Sequence, residues 1–131
     1  MAGLIGMSCR EVARFSECYD SLMNLKKPYG TRFIQCRSMH GPANWNILAD
    51  VVLKEGYDWL FCTEDDHLYP PDTLLQLLAR DKDIVSGLYL KRDFPHEPIA
   101  YHEFNDGEGG IRPHYLDDSE AGLVEVDALG V

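Results

Sequence analysis

The sequence predicts an α/β domain: a mainly parallel sheet with helices on both faces. Three observations carry that prediction. Short apolar runs alternate with amphipathic stretches of helical period. Tight turns join them, as in strand–helix units that build a parallel sheet. The densest acidic run, Glu64-Asp65-Asp66, follows directly on one of the apolar runs, at the carboxyl end of a strand where such sheets bind ligands.

Each element has its own signature. Residues 2–7 form an apolar run of strand length. Ser8-Cys9-Arg10-Glu11 then has the S-x-x-E form of a capping box, in which two side chains satisfy orphan backbone donors. The helix it opens carries Val12, Phe15, Tyr19, Leu22 and Met23 on one face. Lys27-Pro28-Tyr29-Gly30 ends that helix, and residues 32–37 alternate as a second strand. A second helix follows, with Pro42 in its first turn and a stripe of Trp45, Leu48, Ala49, Val52 and Leu53. Gly56 stands just past its end, where a left-handed residue is favoured. Asp58 leads into the apolar run 59–63, of the length and composition of a central strand. Pro70-Pro71-Asp72 opens a third helix that turns Leu74, Leu75, Leu77 and Leu78 inward. Residues 83–90 read as a fourth strand and 91–98 as a polar, Pro-containing loop. Beyond it, residues 99–104 and 111–116 read as strands around a Gly-rich turn, and 123–129 as a last strand.

Composition narrows the function classes. A chain of 131 residues is one domain, 1–131, large enough for a core of its own. Acidic residues outnumber basic ones 22 to 12, a net charge of −10. That excludes nucleic acid as a partner, because a polyanion requires a basic stripe. A small phosphorylated ligand stays compatible if a divalent cation stands between the two negative partners. No apolar run approaches the roughly 18 residues of a membrane span. The apolar N-terminus lacks a basic leading segment and reads as a buried first strand rather than a signal peptide. Cys9, Cys18, Cys36 and Cys62 show no C-x-x-C spacing. They read as reduced, buried thiols of a cytoplasmic protein.

Three adjacent carboxylates repel one another unless a cation or solvent relieves them. Hard oxygen donors suit Mg²⁺ or Mn²⁺, which keep positions open for phosphate oxygens. In an extended turn the first and third acids point the same way, which pairs Glu64 with Asp66. The plain alternative is a solvated acidic turn.

The stretch 46–74, with its helix, the Gly56-Tyr57-Asp58-Trp59-Leu60 strand entry and Glu64-Asp65-Asp66, resembles the heart of GT-A type glycosyltransferases. There a helix, a G-x-D-x-hydrophobic strand and a D-x-D motif follow in that order. The segments 83–92 and 126–130 are similar to family-2-like members from phages and bacteria. The resemblance implies a GT-A fold, a Rossmann-like three-layer sandwich, and transfer of a sugar from a nucleotide-diphosphate-sugar donor to an unknown acceptor. It implies that Glu64 and Asp66, with Glu in place of the first Asp, ligate Mn²⁺ or Mg²⁺ on the diphosphate. Asp65 would then lie near the ribose, Ser8 and Arg10 at the base, and Arg37 and Asn46 among polar nucleotide contacts. The alternatives are a helix cap for Ser8 and exposed surface for the other three. Asp127 stands as the candidate catalytic base, or as a simple strand-end carboxylate. The family continues past the point corresponding to Val131 into an acceptor half, so the expectation includes a fragment or an enzyme completed by another subunit.

Tyr89, Lys91 and Arg92 follow an expected strand end and could meet the sugar or acceptor. A histidine, His102 or His114, could join Glu64 and Asp66 on the metal, although the spacing carries no zinc signature. A second class of function is a donor-binding module without turnover. A receiver-type signalling domain fits poorly, because its acid pair follows the first strand and this cluster follows the third. An incomplete sheet would leave an edge that self-association covers.

Overall fold

The computed structural model describes residues 1–9, 16–37, 41–91, 93–105, 111–115 and 122–129, with backbone only at 103–105, 111–115 and 128–129. The chain separates into two compact units, Met1–Lys82 and Asp83–Val131, within the span expected as one domain.

The first unit is α/β. Strands β1 (Gly3–Ser8), β2 (Arg32–Cys36) and β3 (Trp59–Glu64) pair in parallel in the order β2-β1-β3. Helices α1 (Ser16–Met23), α2 (Gly41–Glu55) and α3 (Thr73–Leu78) complete it. Every residue of β1 is buried, as a strand covered on both faces must be. The alternation of side chains divides the two faces. Ile5, Met7 and Phe61 join Cys18 and Leu22 of α1, Leu25 beyond it and Leu74 of α3 in one core cluster. On the opposite face Gly6 lies under Leu48 of α2, leaving only 3.0 Å to a Cβ placed there. Helices therefore cover both faces of the parallel sheet, a Rossmann-like arrangement.

Several side chains differ from expectation. Ser8 ends β1 and Cys9 leaves it, and Arg10 and Glu11 of the expected capping box lie outside the described residues. The inward stripe of α1 runs Cys18, Leu22 and then Leu25, at i, i+4 and i+7, so Met23 is turned out and 57 % exposed. Leu53 of α2 is 80 % exposed, while Asn44 is buried at the helix's other end. In the six-residue α3, Leu74 is buried and Leu75 exposed.

Gly56 ends α2 as expected, with φ +70°. A Cβ there would meet nothing within 4 Å, so the cost of a side chain is backbone strain alone. Gly56→Ala should lower stability by about 1 kcal/mol. A urea midpoint shifted down at unchanged m-value would show it.

The second unit is an antiparallel sheet. Strands β4 (Ala100–Asn105), β5 (Ile111–Tyr115) and β6 (Ala128–Leu129) are ordered β5-β4-β6. The expected fourth parallel strand does not form: residues 83–90 are irregular apart from an isolated bridge between Leu90 and Pro98. Ile84 is 85 % exposed there, so the β-propensity of this run finds no neighbour to pack against. Backbone bonds from Lys91 to Glu97 (2.9 Å) and from Ile99 to Tyr89 (2.8 Å) instead close a loop. The last expected strand shortens to two residues. Among the described residues no helix is long and apolar enough to cross a membrane.

Candidate functional site

In the order β2-β1-β3 the chain leaves β1 for β2 on one side and later returns to β3 on the other. The carboxyl ends of β1 and β3 therefore flank a topological switch point, where open α/β sheets hold ligands in the crevice. The register pairs Ser8 with both Cys36 and Glu64, so all three strands end at one level. Glu64 closes β3 and Asp65-Asp66 form the turn after it. All three acids are half-buried rather than fully solvated.

The turn is fastened from beneath. Thr63 and Tyr69 are buried and share a 2.7 Å hydroxyl–hydroxyl hydrogen bond across the intervening acidic turn. Tyr69 also meets Phe61 edge-to-face at 5.4 Å and stacks near His67 at 6.1 Å. The backbone oxygen of Glu64 accepts from Thr63 Oγ1 at 3.0 Å and lies 3.5 Å from Cys18 Sγ. His67 Nδ1 is 3.1 Å from an Asp66 carboxylate oxygen. Burial pushes the Cys18 thiol up, and the Asp65 and Asp66 charges push it the same way. That thiol stays protonated beneath the acids.

Two polar side chains that the sequence reading passed over organise the strand ends. Buried Asn44, in the first turn of α2, donates to Ser8 Oγ at 3.0 Å and to the Cys9 carbonyl at 3.3 Å. A detectable signal existed: Asn44 is four residues before Leu48, on the apolar stripe itself. On the other face, Gln35 of β2 donates through its amide to the Tyr19 hydroxyl and, at 3.1 Å, to Cys9 Sγ. Its amide oxygen accepts from Arg37 Nη2 at 2.8 Å. No spacing signal marked Gln35.

The other expected site residues are distributed as follows. Ser8, Glu64, Asp65 and Asp66 lie at the carboxyl edge of the first unit's sheet, with Arg37 just past β2. Asn46 is exposed on α2, two residues and more than half a turn from Asn44. Arg10 and Arg92 lie outside the described residues. In the second unit Tyr89 is half-buried and its carbonyl accepts from Ile99. Lys91 pairs with Glu97 at 2.7 Å. His102 Nδ1 is 3.5 Å from an Asp127 carboxylate oxygen.

Among the described residues no three His, Cys, Asp or Glu side chains form a group that could hold a metal ion by themselves. The acidic turn supplies hard carboxylate oxygens, the donor type that Mg²⁺ or Mn²⁺ takes. Such ions are commonly bound through one or two carboxylates plus phosphate oxygens and water, not by a closed protein cage. Comparison with protein-family models, curated proteins and solved structures returned no match.

Proposed function

We propose that the chain is a GT-A type, metal-dependent glycosyltransferase domain that binds a nucleotide-diphosphate sugar at the carboxyl edge of its parallel sheet. The observation that carries this reading is the acidic turn at the switch point, with Glu64 level with Ser8 between β1 and β3. Glu64 and Asp66 would hold Mn²⁺ or Mg²⁺ on the diphosphate. The ion, when bound, offsets the charge that develops on the leaving nucleoside diphosphate. Ser8, steadied by Asn44, and Arg37, steadied by Gln35, would line the nucleoside side. Asp65 would face the ribose.

Calorimetric titration with UDP-, GDP-, CDP- and dTDP-sugars, with Mn²⁺ and with chelator, tests it. One nucleotide should bind only with metal, and Asp66→Ala should weaken binding at least tenfold while thermal unfolding stays near that of the parent chain. No binding of any nucleotide in the presence of Mn²⁺ would overturn the reading. Sugar release to water or to an acceptor then separates an enzyme from a binding module.

A further inference from the structure

The acidic turn has a fixed residue on each side of it. Thr63 precedes the turn, Tyr69 follows it, and both are buried. The Tyr69 ring belongs to the core cluster and meets Phe61 edge-to-face at 5.4 Å. Just beyond it, the Lys26 amide donates to the Pro71 carbonyl at 2.7 Å, which ties the exit of the turn to the segment after α1. A hydroxyl has one proton, and that of Thr63 goes to the Glu64 carbonyl at 3.0 Å. Tyr69 is therefore the donor in its 2.7 Å bond to Thr63. The Glu64 carbonyl also accepts from Cys18 Sγ at 3.5 Å, so both of its lone pairs are engaged. A directed chain of hydrogen bonds thus runs from Tyr69 through Thr63 to the peptide group between Glu64 and Asp65. It joins the two ends of the turn and fixes the peptide between its first two acids.

We propose that Tyr69 is a positioning residue: its hydroxyl, through Thr63, holds the Glu64–Asp66 turn in a shape that favours Mg²⁺ and Mn²⁺ over Ca²⁺. The inference rests on the reading of Glu64 and Asp66 as cation ligands. Mg²⁺ demands near-ideal octahedral geometry, whereas Ca²⁺ takes more oxygens in flexible arrangements. A turn free to change shape serves Ca²⁺ as well as Mg²⁺, and a fastened one does not. Neither hydroxyl has to touch the ion. Hydrogen bonds that hold ligating carboxylates from behind are commonly worth about 10- to 100-fold in metal affinity.

The test uses the full chain and Mn²⁺ alone, with free Mn²⁺ read by electron paramagnetic resonance and Mg²⁺ and Ca²⁺ as competitors. In the parent chain Mg²⁺ should displace Mn²⁺ roughly tenfold more effectively than Ca²⁺ does. Tyr69→Phe keeps the ring and removes the hydroxyl. It should weaken Mn²⁺ binding about tenfold and cut the preference for Mg²⁺ over Ca²⁺ by about fivefold. Thr63→Val should act in the same way, while Thr63→Ser, which keeps a hydroxyl, should keep the preference. In the double variant Thr63→Val, Tyr69→Phe neither hydroxyl is left orphaned, so thermal unfolding should return toward that of the parent while the preference stays low. A preference that follows thermal stability, or one unchanged in Tyr69→Phe, would overturn the assignment. The donor reading fails separately: if the parent chain takes up Mn²⁺ but no nucleotide-diphosphate sugar, that reading falls and the role of Tyr69 stands. A parent chain that takes up no Mn²⁺ would overturn both.

Discussion

Gly3→Val should destabilise the first unit by about 3 kcal/mol, the upper end of overpacking costs. Gly3 lies in β1 opposite Trp59 of β3. A Cβ built on Gly3 would come within 1.9 Å of Trp59 Cε2 and 2.1 Å of Cδ2. No real carbon sits at such distances from an aromatic ring, so either the strands part or the indole leaves. Trp59 packs against the core, and its buried ring nitrogen has no hydrogen-bond partner among the described residues. Expelling the ring therefore costs apolar contact rather than a polar bond. Equilibrium unfolding in urea reads the loss. Fluorescence in a Trp45→Phe background should show a red-shifted native spectrum from a wetted Trp59. Adding Trp59→Leu to Gly3→Val should recover more than half of the lost stability, because the smaller side chain vacates the space. A native-like midpoint for Gly3→Val alone would mean that the glycine is not required by the ring above it.

Asn44→Leu should cost about 3 kcal/mol, although Leu is close to Asn in size and favours helix more. The reason is the asymmetry of buried hydrogen bonds. Deleting the amide strands the Ser8 hydroxyl and the Cys9 carbonyl, and each orphaned buried group costs about 1–3 kcal/mol. Ser8 is buried alongside Asn44, so water does not readily replace the amide. Ser8→Ala added to Asn44→Leu should then recover roughly 1 kcal/mol, since one orphan is removed. That coupling in a double-mutant cycle is the decisive readout, because simple loss of packing would give additive effects. In the proposed donor site, Asn44→Leu should also weaken nucleotide binding, through Ser8.

The backbone of the first unit was legible because its signals are local and mutually consistent. β1, β2 and β3 appear where short apolar runs place them, and α2 runs from beside Pro42 to Gly56 as its terminal residues indicate. Periodicity failed where it met an element's end or limited length. Met23 falls beside the i, i+4, i+7 stripe that buries Cys18, Leu22 and Leu25, Leu53 falls in the last turn of α2, and α3 is too short to bury all its leucines. The run 83–90 shows the limit of β-propensity: it describes residues that suit a strand, whereas a ladder also needs a partner edge. In the site, the acidic turn was legible from its position after an apolar strand. The roles of Asn44 and Gln35 were not, although Asn44 stands on the apolar stripe, because a buried polar side chain is recognised by the groups it satisfies, and Ser8 and Cys9 lie 36 and 26 residues away in the sequence.

The central position of β1 has a consequence for biosynthesis. Its two neighbours in the sheet begin at Arg32 and Trp59, so β1 leaves the ribosome before either strand that flanks it. Until Glu64 has emerged, an apolar segment destined for complete burial carries an open hydrogen-bonding edge. Non-local parallel pairing of this kind is slow and exposes chains to aggregation. Nascent chains arrested before residue 59 should therefore be captured by a chaperone that recognises extended apolar segments, and released once β3 clears the exit tunnel.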